Sequence, residues 1–277
     1  MITKSSLAHI SQTRTILIRE ENFAYLLPCE ELRNTISNFT ITFPNKAIIS
    51  NAYTVMPHGS ATLVFFVYNT QLHGFLFGPT TKPVKVGDIA NKCGMIFIIE
   101  FQPAGFSLFK KTNQKELTNK IVPFSAVDYS LHTALKNILR GSSSVDELLL
   151  RAEEKFLQSM LFQYPTELSR AVTAIIQSGG LITSAELSQK SFYCPRHLNR
   201  LFDLYIGMGM KSFSRLVRIN RSLHFLNERV NTLGGISEKL GYYDVSHFVK
   251  DFKIVCNITP QEYRANMSDF YSEIAKF

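Results

Sequence analysis

Two periods of apolar residues divide the chain. Up to about residue 125, apolar, aromatic and β-branched residues come in short runs: "NFTITF" (38–43), "ATLVFFVY" (61–68), "HGFLFG" (73–78) and "GMIFIIEF" (94–101). Turn signals separate them at Pro44-Asn45, Pro57-His58-Gly59, Gly78-Pro79, Gly87-Asp88 and Pro103-Ala104-Gly105. Such residues fit a pleated, half-buried surface, and strands broken this often predict a small β-barrel or sandwich. From residue 128 the period becomes helical, in "DYSLHTALKNILR" and, beyond a "GSSS" loop, in "VDELLLRAEEKFLQSMLF". Pro165 breaks the second of these helices and Thr166 is placed to cap the next. A boundary is therefore expected here, between residues 1–164, a β-rich domain with two trailing helices, and residues 165–277. Beyond it the pattern predicts helices at 167–178, 184–190, 195–205, 211–229, 235–240, 245–255 and 260–274. The expected fold class is α+β in two domains, the second all-α.

The helical part contains a repeat. "AELSQKSFYCPRHLNRLF" (185–202) aligns with "GISEKLGYYDVSHFVKDF" (235–252). Leu187-Ser188 falls on Ile236-Ser237, Leu198 on Phe248, Arg200 on Lys250 and Phe202 on Phe252, with one extra residue in the second turn. In each copy a large residue followed by a small one lets the first helix approach the second, whose two apolar residues four apart face back into the core. Each copy is a helix-turn-helix unit, at about 184–205 and 235–255. Between them "KSFSRLVRINRSLHFLNERV" (211–230) reads as one long helix buried through Phe213, Leu216, Val217, Leu223 and Leu226.

From "AELSQ" to "ITPQEYR" (258–264) the sequence resembles the AraC/XylS family of bacterial transcription regulators. The resemblance is carried by "HLNRLF", Gly209 before the linker helix, Arg218 with Ser222 four residues on, "GYYDVSHFVKDFK", Pro260, Tyr263 and Arg264. It implies a tandem pair of helix-turn-helix units that binds double-stranded DNA, with RNA polymerase as a further partner if the protein is an activator. Two positions depart from the family pattern. Phe192 stands where a turn glycine is usual, and Asn257 replaces the glycine before "ITP". "FQPAGFSLFKKTNQKELTNKIVPF" (101–124) and "MPHGSATLVF" (56–65) are similar to the sensor-like domain found ahead of some AraC-type binding domains, with His58 where that pattern has an acidic residue.

Charge points the same way. The net charge is +8, and residues 168–264 hold 13 Lys/Arg against 7 Asp/Glu while residues 1–167 hold 16 against 13. The surplus thus gathers where the repeat lies, which suits a polyanionic partner as well as a merely solvated surface. No apolar run approaches the ~20 residues of a membrane span. "MITKSSLAHISQTRT" lacks the apolar core of a signal peptide, so a cytoplasmic location is expected. Cys29, Cys93, Cys194 and Cys256 lie far apart without a CxxC pair, which argues against a zinc site or a disulfide framework. P-loop, G-x-S-x-G and Rossmann glycine patterns are absent. Neither catalysis nor a cofactor is expected.

Base reading needs donors on an exposed helix face that fits the major groove. On 195–205 the resemblance places base contacts at Arg196, Asn199 and Arg200. Arg pairs bidentately with guanine and Asn with adenine, so the side chains suit the task. On 245–255 the matching face is Val245, Ser246, His247 and Lys250. Val245 suits a thymine methyl, and Lys250 and Lys253 suit phosphates. The first unit is thus expected to read bases and the second mainly to position. His197 and His247 are expected to pack or face the turn rather than read bases. Arg218, Arg221 and Arg264 are as compatible with structure as with phosphate contact, and Ser184 is expected to cap the 184–190 helix.

Two expectations concern the β-rich domain. A small barrel either fills its interior or leaves a mainly apolar pocket for a small apolar effector. The stripe Val145, Leu148, Leu149, Ala152, Phe156 and Met160 needs a partner surface, which is either a second copy, making a homodimer, or the protein's own strands. The competing functional reading is a small-molecule-binding or enzymatic β domain with a helical appendage that binds a partner, or DNA without sequence preference.

Overall fold

The computed structural model describes residues 1–46, 49–228 and 230–267, and the backbone of a short strand at 270–271. The N-terminal strands are β1 (Ile16–Arg19), β2 (Phe23–Leu26), β3 (Ile36–Thr42), β4 (Thr54–Val55), β5 (Thr62–Tyr68), β6 (Gln71–Phe77), β7 (Val84–Lys85), β8 (Met95–Phe101) and β9 (Ile121–Pro123). With them come three one-turn helices, α1 (Gly87–Ala90), α2 (Gln114–Leu117) and α3 (Phe124–Val127), then α4 (Tyr129–Gly141) and α5 (Val145–Ser159). The C-terminal part holds α6 (Thr166–Gln177), α7 (Ser184–Ser191), α8 (Pro195–Tyr205), α9 (Met210–Asn227), α10 (Leu233–Lys239), α11 (Val245–Cys256), α12 (Pro260–Ala265) and β10 (Phe270–Tyr271).

Seven strands form one sheet in the order β1-β2-β3-β8-β5-β6-β9, and among the described residues its edges do not meet. The domain is sheet-rich but not a closed barrel. Its last edge strand is three residues long and ends at Pro123, which has no N–H to offer a further strand. Period two gives the sheet two faces. Phe39, Ile41, Leu63, Phe65, Phe97, Ile99 and Phe101 lie in the main core with α4 and α5. The opposite face carries Thr40, Thr62, Val64, Phe66, Ile98 and Glu100, which line a cavity together with Val55 of β4 and Val84 of β7.

The apolar stripe of α5 has its partner within the chain. Leu148, Leu149, Ala152 and Phe156 are all fully buried in the main core, Val145 almost so, and Met160 packs against it. This corrects the homodimer expectation for that face. On the sheet side, the Phe156 ring meets Phe101 of β8 edge to face, with centroids 6.1 Å apart. Arg14 also ties the helix down, its Nη1 donating to both carboxylate oxygens of the buried Glu153 at 2.7 Å.

The C-terminal part has two small cores that share α9. Phe213, Leu216 and Val217 pack with α6, α7 and α8. Ile219, Leu223 and Leu226 pack with α10, α11 and Tyr263 of α12. One continuous helix therefore fixes the two units relative to each other. The helix expected over 260–274 ends at Ala265: Asn266 Nδ2 donates to the Glu262 carbonyl, which the next turn would otherwise use. Of the remainder of that expected helix, residues 268, 269 and 272–274 lie outside the described residues. Thr183, not Ser184, caps α7, in a reciprocal capping box with Glu186. Those bonds to Thr183 hold the Glu186 carboxyl below its usual range.

Candidate nucleic-acid interface

α8 and α11 each present an exposed face. On α8 the exposed Arg196, Asn199 and Arg200 stand at i, i+3 and i+4, the spacing of one helix face, while Leu198, Leu201 and Phe202 are buried behind them. Asn199 also has a second task. Its Oδ1 accepts from the Met210 N–H at 3.1 Å, capping α9 through an approach that the absent Cβ of Gly209 permits. The expected bidentate adenine contact needs that oxygen. As placed, Asn199 shares that oxygen with α9, and its amide N–H group and the oxygen's second lone pair remain on the exposed side. His197 is half-buried, stacked on Tyr193 with ring centroids 4.9 Å apart and 3.6 Å from Glu167. It therefore belongs to the packing of the unit.

On α11, Val245, Ser246, His247, Lys250 and Lys253 are exposed. Val245, Ser246, Lys250 and Lys253 border a shallow open depression with Val249 and Ile254. Sequence reasoning missed Val249 and Ile254, because an apolar residue on a short helix reads as core. Asp244 caps α11 by accepting from the His247 N–H at 2.7 Å. His247 meets the edge of Tyr242 with ring centroids 5.2 Å apart while remaining exposed.

The repeat extends to the backbone of both turns. Phe192 aligns with Gly241, and both are left-handed, at φ 61° and φ 67°. Asn257 ends α11 in the same conformation, at φ 58°. Asn tolerates it, but for Phe it costs about 1–2 kcal/mol. Phe192 is 92% exposed, so its ring repays little by burial. Phe192→Gly is therefore expected to raise stability by about 0.5–1 kcal/mol after the added chain entropy of glycine. An unchanged or lower denaturant midpoint would show that the ring is held by something else.

Three further arginines make contacts within the domain. Arg218 Nη2 donates to the Gly180 carbonyl at 2.7 Å and its guanidinium lies 5.0 Å from the Tyr242 ring centroid, so it joins the two units. Arg264 donates to the Leu226 and Asn231 carbonyls, and Arg221 packs against Gly179. Arg215, which the sequence did not single out, pairs with the buried Asp251 at 2.9 Å and so fixes α11 on α9. Burial, and then the adjacent Asp251 carboxylate, push the Tyr242 hydroxyl above its usual range. It remains a donor to Asp251, at 3.4 Å.

The β-rich domain touches both units. At the foot of α8, Lys115 pairs with Asp203 at 2.9 Å and Thr118 Oγ1 donates to the Gly207 carbonyl at 2.8 Å. Residues 55–59 have two sides. Val55 and His58 line the cavity. Met56 is buried in the core of the second unit, and the Pro57 carbonyl accepts from Asn220 Nδ2 at 2.9 Å. Gly59, at φ 65°, lies against Leu216, Met208 and Phe213, where a Cβ would already crowd Leu216 at 3.3 Å.

Residues 187–266 match HTH_18, a helix-turn-helix domain family. Residues 187–266 are an AraC-type helix-turn-helix domain. Ahead of the AraC-type domain, residues 25–123 match a domain of unknown function, DUF6597. No curated protein matches the chain. Among solved structures, the chain is similar to an AraC-type transcriptional regulator from Chromobacterium violaceum at 25% identity and TM-score 0.34, covering 36% of this chain and 90% of that one. The C-terminal domain of the response regulator AraT from Geobacillus stearothermophilus matches at 20% identity and TM-score 0.35, covering 38% and 88%. Unsaturated-fatty-acid-bound ToxT from Vibrio cholerae matches at 12% identity and TM-score 0.41, covering 76% and 88%. Among the described residues, no helix is long and apolar enough to cross a membrane, and no group of three His, Cys, Asp or Glu side chains is placed to hold a metal ion.

Proposed function

We propose that the protein is a sequence-specific DNA-binding transcription regulator whose AraC-type domain, taken to begin at residue 165, inserts α8 and α11 into adjacent major-groove segments. The observation that carries this reading is the pair of exposed helix faces, Arg196, Asn199 and Arg200 on one and Val245, Ser246, His247, Lys250 and Lys253 on the other, held by one shared helix. Helices held in this way enter the duplex about one turn, ~34 Å, apart. Because their donors differ, the site is asymmetric. Arg196 and Arg200 read bases, and Lys250 and Lys253 hold phosphates.

Selection from random duplexes tests the reading: one enriched motif with two unlike elements is expected, and an appendage without sequence preference would enrich none. Arg200→Ala is expected to weaken specific binding by ~1–3 kcal/mol and relax preference at one base pair. Lys253→Ala should weaken all sequences alike. An unchanged motif and affinity for Arg200→Ala would remove α8 as the reader.

The cavity of the β-rich domain is read as the seat of a small apolar effector. The two-sided placement of residues 55–59, cavity wall on one side and packing against α9 and both units on the other, supports control of DNA binding through that segment. A ligand pressing on Val55 or His58 displaces the same backbone that Asn220 holds.

A further inference from the structure

The helices α8 and α11 carry opposite charges at one position. Phe202 aligns with Phe252, so Asp203 of α8 takes the place that Lys253 holds on α11. Asp203 comes one turn after Asn199 and Arg200 and two turns after Arg196, and therefore lies on their side of the helix. A carboxylate on a face that meets a polyanion is repelled by it. The charge is answered from outside the unit: Lys115 of α2 puts its Nζ 2.9 Å from Asp203 Oδ2. α2 is seated closely against the end of α8. Its Gln114 is buried, Thr118 Oγ1 donates to the Gly207 carbonyl at 2.8 Å, and a Cβ at Gly207 would meet that hydroxyl oxygen at 2.5 Å. The segment that carries Lys115 is itself basic. Residues 110–120 hold four lysines against one glutamate, and Lys111, Lys115 and Lys120 are exposed.

An ammonium in this place can serve DNA. Lys115 and Asp203 keep 61% and 38% of their side chains in solvent, and an ion pair so exposed is held weakly. The ammonium has three donors, so Lys115 can keep Asp203 covered and turn another N–H toward a phosphate oxygen. We propose that Lys115 is a DNA-backbone contact supplied to α8 by the β-rich domain: it offsets the Asp203 carboxylate and presents the cation that α8 lacks where α11 has Lys253. The β-rich domain is then part of the nucleic-acid interface as well as the wall of the cavity. The proposal rests on the reading of α8 as a helix that enters the major groove.

The test is the salt dependence of duplex binding by the full chain. Lys115→Gln is expected to weaken binding to every duplex several-fold at ~0.1 M salt, to lower the slope of log affinity against log salt by about 1, and to leave the selected motif unchanged. Adding Asp203→Lys moves the cation onto α8 itself, as in α11, and should restore both affinity and slope. A pair that only joins the two domains would behave otherwise, because Asp203→Lys cannot rebuild that contact. Unchanged affinity and slope for Lys115→Gln, or a loss that Asp203→Lys does not recover, overturns the assignment. Tighter binding by Lys115→Gln also overturns it and makes the pair a latch that holds α8 back. Selection with the unsubstituted chain keeps two failures apart. A chain that enriches no motif removes the reading of α8, while a chain that enriches one beside an indifferent Lys115→Gln removes the phosphate contact alone.

Discussion

Phe252→Ala is expected to destabilise the second helix-turn-helix unit by about 3–5 kcal/mol, the cost of truncating a fully buried phenylalanine. Phe252 has no exposed surface and its ring contacts Phe248 and Tyr263, with centroids 5.9 and 6.0 Å away. The core it belongs to is small, and α9, α10, α11 and α12 all lean on it, so few neighbours can close the void. The denaturant midpoint of the C-terminal transition measures the loss. DNA protection should shrink to the element read by α8, since the first unit has its own core. A midpoint equal to wild type would show that Phe252 does not anchor this unit.

Asp251→Ala carries the second largest expected effect, about 2–3 kcal/mol. Removing one partner of a buried ion pair costs ~3–5 kcal/mol because the other charge is stranded. The figure is reduced here because Arg215 keeps 27% of its side chain in solvent. The carboxylate also accepts from the Tyr242 hydroxyl, and Tyr242 lies under Arg218, which holds the Gly180 carbonyl. Loss of Asp251 therefore loosens α11 on α9 and weakens the bridge to the first unit. Adding Arg215→Met should recover part of the stability, since no stranded charge remains. A double variant as unstable as the sum of the singles would mean that the pair is not coupled.

Both predictions concern residues whose sequence signals differed in kind. Phe252 was legible as core because its counterpart Phe202 occupies the same place in the first copy and both follow an apolar residue four positions earlier. Asp251 was not legible, since a lone acidic residue on a basic helix reads as a solvated face and its partner Arg215 is 36 positions earlier, on a different helix. For the same reason Asn199 was read only as a base reader. Its capping bond to Met210 joins two helices across a turn, and local spacing carries no trace of it.

Local periodicity and turn chemistry, which act within a few residues, determined the division into strands followed by helices, the tandem helix-turn-helix units, the shared linker helix and the exposed basic faces of α8 and α11. Phe192 shows the strength of that determination: the turn adopts its left-handed backbone even where the residue is poorly suited to it. Tertiary structure alone decided the rest. Among the described residues the sheet stays open rather than closing into a barrel, α5 buries its stripe in the core against that sheet, and Glu100, Thr62 and His58 line one cavity. Residues 55–59 reach α9, with Pro57 and Asn220 in contact across 163 positions of sequence. Pairing register, competition between alternative partner surfaces and contacts between distant segments depend on the whole arrangement, and no local pattern encodes them.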